Sequence, residues 1–169
     1  MNSQIKDQEL YENIEFLADF QLFLGNIFRM NGALLEISEN ICSKDSLITV
    51  PIWRVLAIVR RQSMTVAAIA VYLGLKRQSV QATVNQMKKK GLIILKVNPN
   101  HKKSFLISLS VKGQKKIEKI YTYQKKVTEV FVKDLDLSFS ELIKVTDFIR
   151  ILRENSENNS KIISKKEQT

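Results

Sequence analysis

The chain holds one cysteine, one histidine, two prolines and five glycines in 169 residues. One cysteine excludes an intrachain disulfide framework, and one His with one Cys is too few for a His/Cys metal site. Carboxylates can bind a hard cation, but no loop has EF-hand spacing, so no metal or other cofactor is expected. No apolar run approaches the roughly 18 residues of a membrane span. The first ten residues, MNSQIKDQEL, are polar and mixed in charge, unlike a secretory leader. The expectation is a cytoplasmic protein with no membrane partner. Also missing are a nucleophile–base pair and a glycine-rich phosphate loop, so the chain does not read as an enzyme. Scarce proline and glycine favour long helices. The length and 44% hydrophobic content suit one domain with a real core.

What the chain does have is localised positive charge. The net charge is +10. Between Lys76 and Lys119 stand 12 Lys/Arg and a single acid, Glu118, while the remainder holds 15 Lys/Arg against 16 acids. A block of this kind is expected of a surface that neutralises phosphates. An anionic membrane fits less well, because the basic residues do not line one strongly apolar amphipathic helix.

The block begins inside residues 65–91, which read as two short helices around a tight turn. Val66, Ile69, Ala70 and Leu73 recur at i, i+3, i+4, i+7 and mark one buried face. Thr65 is placed to cap that helix and Gly74 to end it in the left-handed conformation. The second helix, about residues 77–90, buries Val80, Val84 and Met87. Its other face carries Arg77, Gln78, Ser79, Gln81, Ala82 and Asn85. Amide side chains match an adenine edge and arginine a guanine edge. The pair has the form of a helix-turn-helix. An αα-hairpin with a solvated polar face accounts for this stretch equally well.

The flanking segments add context. Residues 1–9 read as a flexible N-terminus, and a long apolar-rich helix covers about 10–42, with Cys42 at its end. No nearby His or second Cys would activate that thiol, so a small, partly buried residue is the plainer reading than a redox sensor. Thr49 caps a helix over 50–61 that buries Ile52, Val55, Leu56 and Val59; Trp53 fits a core or a cavity wall. After Gly91 the period becomes two. Ile93, Leu95 and Val97 share one face, and so do Phe105, Ile107 and Leu109, in two strands over 92–109. The turn-rich loop between them carries His101, Lys102 and Lys103. It reads as a solvated surface hairpin or, directly after a helix-turn-helix, as a wing. A helix over about 111–133 follows. Ser138–Phe139–Ser140–Glu141 is a capping box for a last helix to about Glu154, with Leu142, Val145, Ile149 and Leu152 as a packing seam. Residues 156–169 read as a disordered tail.

Three stretches resemble the multiple-antibiotic-resistance-regulator (MarR) family of bacterial winged-helix transcription factors: LITVPIWRVLAI (47–58), LGLKRQSVQATVNQMKKKGLI (73–93) and NPNHKKSFLISLSVKG (98–113). The resemblance spans about residues 10–155. It implies a mostly α (α+β) winged helix-turn-helix whose N- and C-terminal helices form a helical dimerisation region. The implied function is a homodimeric repressor on a palindromic operator of double-stranded DNA, released by a small aromatic or amphipathic effector. Lys76, Arg77, Gln78, Ser79, Gln81, Ala82 and Asn85 then form the recognition surface, and His101, Lys102 and Lys103 the wing contact. Phe20, Phe23, Trp53 and Tyr121 become candidates for the effector pocket. The family commonly has Ser or Asp at the position of Lys76, which cannot accept a capping bond. Where the family's wing has Asp-Arg-Arg, this chain has His101-Lys102-Lys103, whose lysines are mobile point charges in place of a planar fork. The family's peroxide-sensing cysteine sits near the start of the first helix, so that role does not carry to Cys42. The rival reading is a winged-helix protein–protein module whose basic face meets an acidic partner.

Overall fold

The computed structural model describes residues 14–101 and 103–166. The elements run α1 (Ile14–Cys42), α2 (Val50–Val59), α3 (Val66–Leu73), α4 (Arg77–Lys89), β1 (Ile93–Val97), β2 (Phe105–Leu109), α5 (Val111–Val132) and α6 (Phe139–Lys166). This is the expected mostly helical chain with one small sheet. It divides into two compact units, one ending at Lys126 and one beginning at Val127, with α5 passing from the first into the second. Among the described residues no helix is long and apolar enough to cross a membrane. The N-terminal residues read as frayed, and Lys102, lie outside the described residues.

Local chemistry sets the helix ends. The Thr65 hydroxyl accepts from the Ala68 N–H at 3.2 Å and opens α3. Gly74 closes it at φ 62°, where a side chain would be strained. The core of the first unit is built from the spaced apolar positions: Ile52, Val55, Leu56 and Val59 of α2, Ile69 and Ala70 of α3, and Val80, Val84 and Met87 of α4. Burying a side chain such as Leu56 contributes about 2 kcal/mol. β1 and β2 pair antiparallel, with Ile93 opposite Leu109, Leu95 opposite Ile107 and Val97 opposite Phe105. The extended link before α3 adds a single bridge, in which the Ile107 N–H donates to the Met64 carbonyl at 2.9 Å.

The Leu-Ser-x-Lys-Gly stretch at 109–113 has a structural explanation. The Ser110 hydroxyl accepts from the Gly113 N–H at 2.9 Å, capping α5, and donates to the Gly91 carbonyl at 2.7 Å. The Lys112 ammonium donates to the Lys90 carbonyl at 2.8 Å. Gly113 lies directly on the Leu92 backbone: a Cβ there would stand 1.9 Å from the Leu92 carbonyl oxygen. The wing is thus fastened at its root to α5.

The loop between α1 and α2 is tied to α5 through Asp45. Its carboxylate accepts from the Leu47 N–H at 3.0 Å and pairs with Lys116. Burial pushes the Asp45 carboxyl upward, but the bonds from Lys116 and Leu47, with the charges of Lys116 and Lys119, hold it below its ordinary value. A carboxylate depressed in the folded state stabilises above its unfolded pKa, and the gain is lost as pH falls through the folded pKa. Asp45→Asn is therefore expected to lower the melting temperature at about pH 7, with the gap closing towards about pH 3. A gap that stays constant over that range in thermal melts would refute the ion-pair account. Cys42, the last residue of α1, is fully buried rather than partly so, and burial pushes its thiol up to about 11. It is protonated at neutral pH and poorly suited to redox sensing.

In the second unit the capping box forms as expected. The Ser138 N–H donates to Glu141 Oε2 at 2.8 Å, and the Glu141 N–H to the Ser138 hydroxyl at 3.3 Å. One expectation is corrected: α6 does not stop near Glu154 but continues to Lys166, through most of the segment read as a disordered tail. No glycine or proline stops it, and Arg150–Glu154 and Arg153–Glu157 pairs at i, i+4 support the extension. Leu142, Val145 and Ile149 of the seam remain exposed within this unit.

Candidate nucleic-acid interface

α4 buries Val80, Val84 and Met87, which turns the opposite side outward. Lys76, Arg77, Gln78, Ser79, Gln81, Ala82 and Asn85 are all exposed, as the spacing requires. Lys76 occupies the N-cap position and makes no side-chain cap. Gln81 Nε2 donates to Asn85 Oδ1 at 3.0 Å, so the two amides pair one turn apart. The wing loop is shaped by Asn98. Its Oδ1 accepts from the Asn100 N–H at 3.0 Å, its Nδ2 donates to the Ser104 hydroxyl at 2.8 Å, and its carbonyl accepts from the His101 N–H at 3.3 Å. This closed network leaves His101 and Lys103 exposed.

Helix and wing enclose a cleft of about 560 Å³. Arg77, Gln81, Asn85 and Lys88 line it from α4; Leu95, His101, Lys103 and Phe105 line it from the wing. No acid is among its described lining residues. The structure thus brings Arg77, Gln81, Asn85, His101 and Lys103 to one place. Lys76, Gln78, Ser79 and Ala82 stay on the exposed surface of α4 but do not line the cleft. Lys88, Leu95 and Phe105 are among the lining residues that the sequence pattern does not single out. Lys88 continues the 81–85 stripe at i+7, and that spacing was a usable signal. Leu95 and Phe105 share a strand face with the buried Ile93 and Ile107, and only their position beyond the core exposes them.

The basic block does not act as a whole. Lys90 turns inward, its ammonium donating to the Leu47 carbonyl at 2.8 Å. Lys112 donates to a backbone carbonyl at the surface, and Lys116 pairs with Asp45. The four aromatic pocket candidates fall into separate settings. Phe20 stacks with Phe16 and tilts against Phe23, because i, i+4, i+7 spacing joins rings along one helix. Tyr121 lies under the Arg60 guanidinium at 4.6 Å, and Arg60 also pairs with Glu118 at 2.8 Å. Trp53 is half-buried, and its indole N–H is sealed from solvent with no partner among the described residues.

A helix-turn-helix followed at once by a two-stranded hairpin, with a shared cationic cleft, defines a winged helix-turn-helix protein. The chain belongs to the MarR family, whose sequence model matches residues 48–104. An uncharacterized protein of Mycobacterium tuberculosis (strain H37Rv) is 30% identical over 97 residues, covering 57% of this chain and 67% of that protein. Staphylococcus aureus MarR, solved in complex with salicylate and kanamycin, superimposes with a TM-score of 0.70 at 17% identity, over 85% of this chain and 96% of that one. A putative MarR family transcriptional regulator from Listeria monocytogenes, solved with a 26mer DNA, gives a TM-score of 0.69 at 24% identity, over 80% and 89%. At these identities the structural likeness establishes the fold.

Proposed function

We propose that the chain is a cytoplasmic transcriptional repressor that binds an inverted-repeat operator as a homodimer and carries out no covalent chemistry. The observation that carries this reading is the acid-free cleft between the exposed face of α4 and the wing. In the proposed complex α4 enters the major groove, where Arg77, Gln78, Ser79, Gln81, Ala82 and Asn85 meet base edges and Lys76 a phosphate. The uncapped first turn of α4 favours an anion there as well. Lys102 and Lys103 hold the flanking backbone as mobile charges, with His101 beside them. The DNA-bound Listeria relative supports this reading by its fold.

Dimerisation is supported by apolar surface that each unit leaves open: Phe28, Met30, Leu34 and Leu35 on α1, Phe131 on α5, and Phe139 and Val145 on α6. Sedimentation of the intact chain is expected to give a dimer, and deleting residues 139–169 a monomeric or poorly soluble product. A folded monomer for the intact chain would remove this part of the proposal. Release by a small aromatic acid would require the Trp53 site to open, because its unpartnered indole N–H is sealed from solvent.

Selection of bound duplexes from a random pool tests the central reading. The expected product is an inverted repeat with half-sites about 10–11 bp apart, one turn of the duplex. Enrichment of no sequence, with tight binding to acidic proteins, would favour the protein–protein module.

A further inference from the structure

Past the core, the wing keeps an apolar face. The strand register sets Ile93, Leu95 and Val97 opposite Leu109, Ile107 and Phe105 on one side of the hairpin. At the root, Ile93 and Ile107 are buried; further out, Leu95, Val97 and Phe105 are 38%, 79% and 54% exposed. A solvated face of an antiparallel hairpin ordinarily turns to polar residues, and this one does not. Leu95 and Phe105 line the cleft beside α4, among Arg77, Lys88, His101 and Lys103. A groove with a cationic rim and an apolar wall is complementary to a sugar–phosphate backbone, whose phosphates are anionic and whose deoxyribose edges are rich in carbon. A second copy of this chain seated here through the same face would set like charge against like.

We propose that Leu95 and Phe105 pack against the deoxyribose of duplex DNA seated in the cleft, with Phe105 making most of the contact. This rests on the DNA-binding reading above and adds to it the residues that hold the sugars.

An apolar contact releases no counterion, so salt separates it from a lysine contact. The full-length chain, Phe105→Ala, Phe105→Leu and Lys103→Ala are titrated on a selected duplex and on a random duplex of equal length, at several salt concentrations. Melting temperatures and sedimentation are recorded in parallel. Phe105→Ala is expected to lose affinity about tenfold on both duplexes, because lost apolar area carries no sequence information. Its plot of log affinity against log salt keeps the wild-type slope, whereas that of Lys103→Ala becomes shallower. Phe105→Leu retains most of the affinity, and the melting temperature of Phe105→Ala stays close to wild type because the ring is half exposed. Wild-type affinity for Phe105→Ala, or a loss matched by unfolding, overturns the sugar contact while the DNA reading stands. Dissociation of the dimer by Phe105→Ala assigns the face to a second copy instead. A wild-type chain that binds neither duplex overturns both.

Discussion

Replacing Gly113 by alanine is expected to destabilise the winged unit more than any other single methyl group added to it. The new Cβ would stand 1.9 Å from the Leu92 carbonyl oxygen, where real Cβ atoms essentially never come within 3.0 Å. The obstruction is backbone, so no flexible side chain can swing away. Alanine favours a helix over glycine by about 1 kcal/mol. Overpacking of this severity costs about 3 kcal/mol or more. The steric term wins, and the net loss is about 2 kcal/mol, or roughly 4–8 °C in melting temperature for a chain of this length. Leu92 has to move, and with it the Ser110 N–H, which donates to the Leu92 carbonyl at 3.1 Å and sets the wing's angle to α5. DNA affinity should therefore fall even below the melting temperature. An alanine variant that melts with the wild type would show that α5 does not press on the wing root.

Sequence reading and charge attraction are expected to part at two positions. Gln81 lies on the exposed face of α4 and Lys103 on the wing, both lining the cleft. If α4 enters the major groove, Gln81→Ala should cost about 1–3 kcal/mol on the preferred site and little on random DNA. The lower part of that range is favoured. Gln81 already donates to Asn85 in the free chain, so a base contact replaces an existing exposed hydrogen bond rather than adding one. Lys103→Ala should weaken both duplexes alike. It should also flatten the salt dependence by about one unit per subunit, about two for a dimer, as fewer counterions are released. Equal losses on both duplexes for Gln81→Ala would mean that this face does not read bases.

Much of this architecture was legible because it depends on spacing within one or two helical turns. The Thr65 cap, the left-handed Gly74 and the Ser138–Glu141 box each involve groups three or four residues apart and formed as expected. The buried faces of α2, α3 and α4 follow from the same local periodicity. α6 runs past the boundary its composition suggests, because a helix already nucleated extends into a polar segment that holds no glycine or proline to stop it.

By itself, then, the sequence determined the order of elements, the faces each helix buries and the concentration of positive charge around the wing. Only the tertiary structure decided what those charges and apolar groups do. Lys90 reaches a carbonyl 43 residues away and Lys112 one 22 residues away, so both ammonium groups are tethered, Lys90 part-buried and Lys112 at the surface. Phe105 shares a strand face with buried Ile107, yet it is half exposed at the outer end of the hairpin. Spacing encodes which way a side chain points. How far the neighbouring element extends beneath it, and which distant carbonyl lies within its reach, are set by packing between segments far apart in the chain.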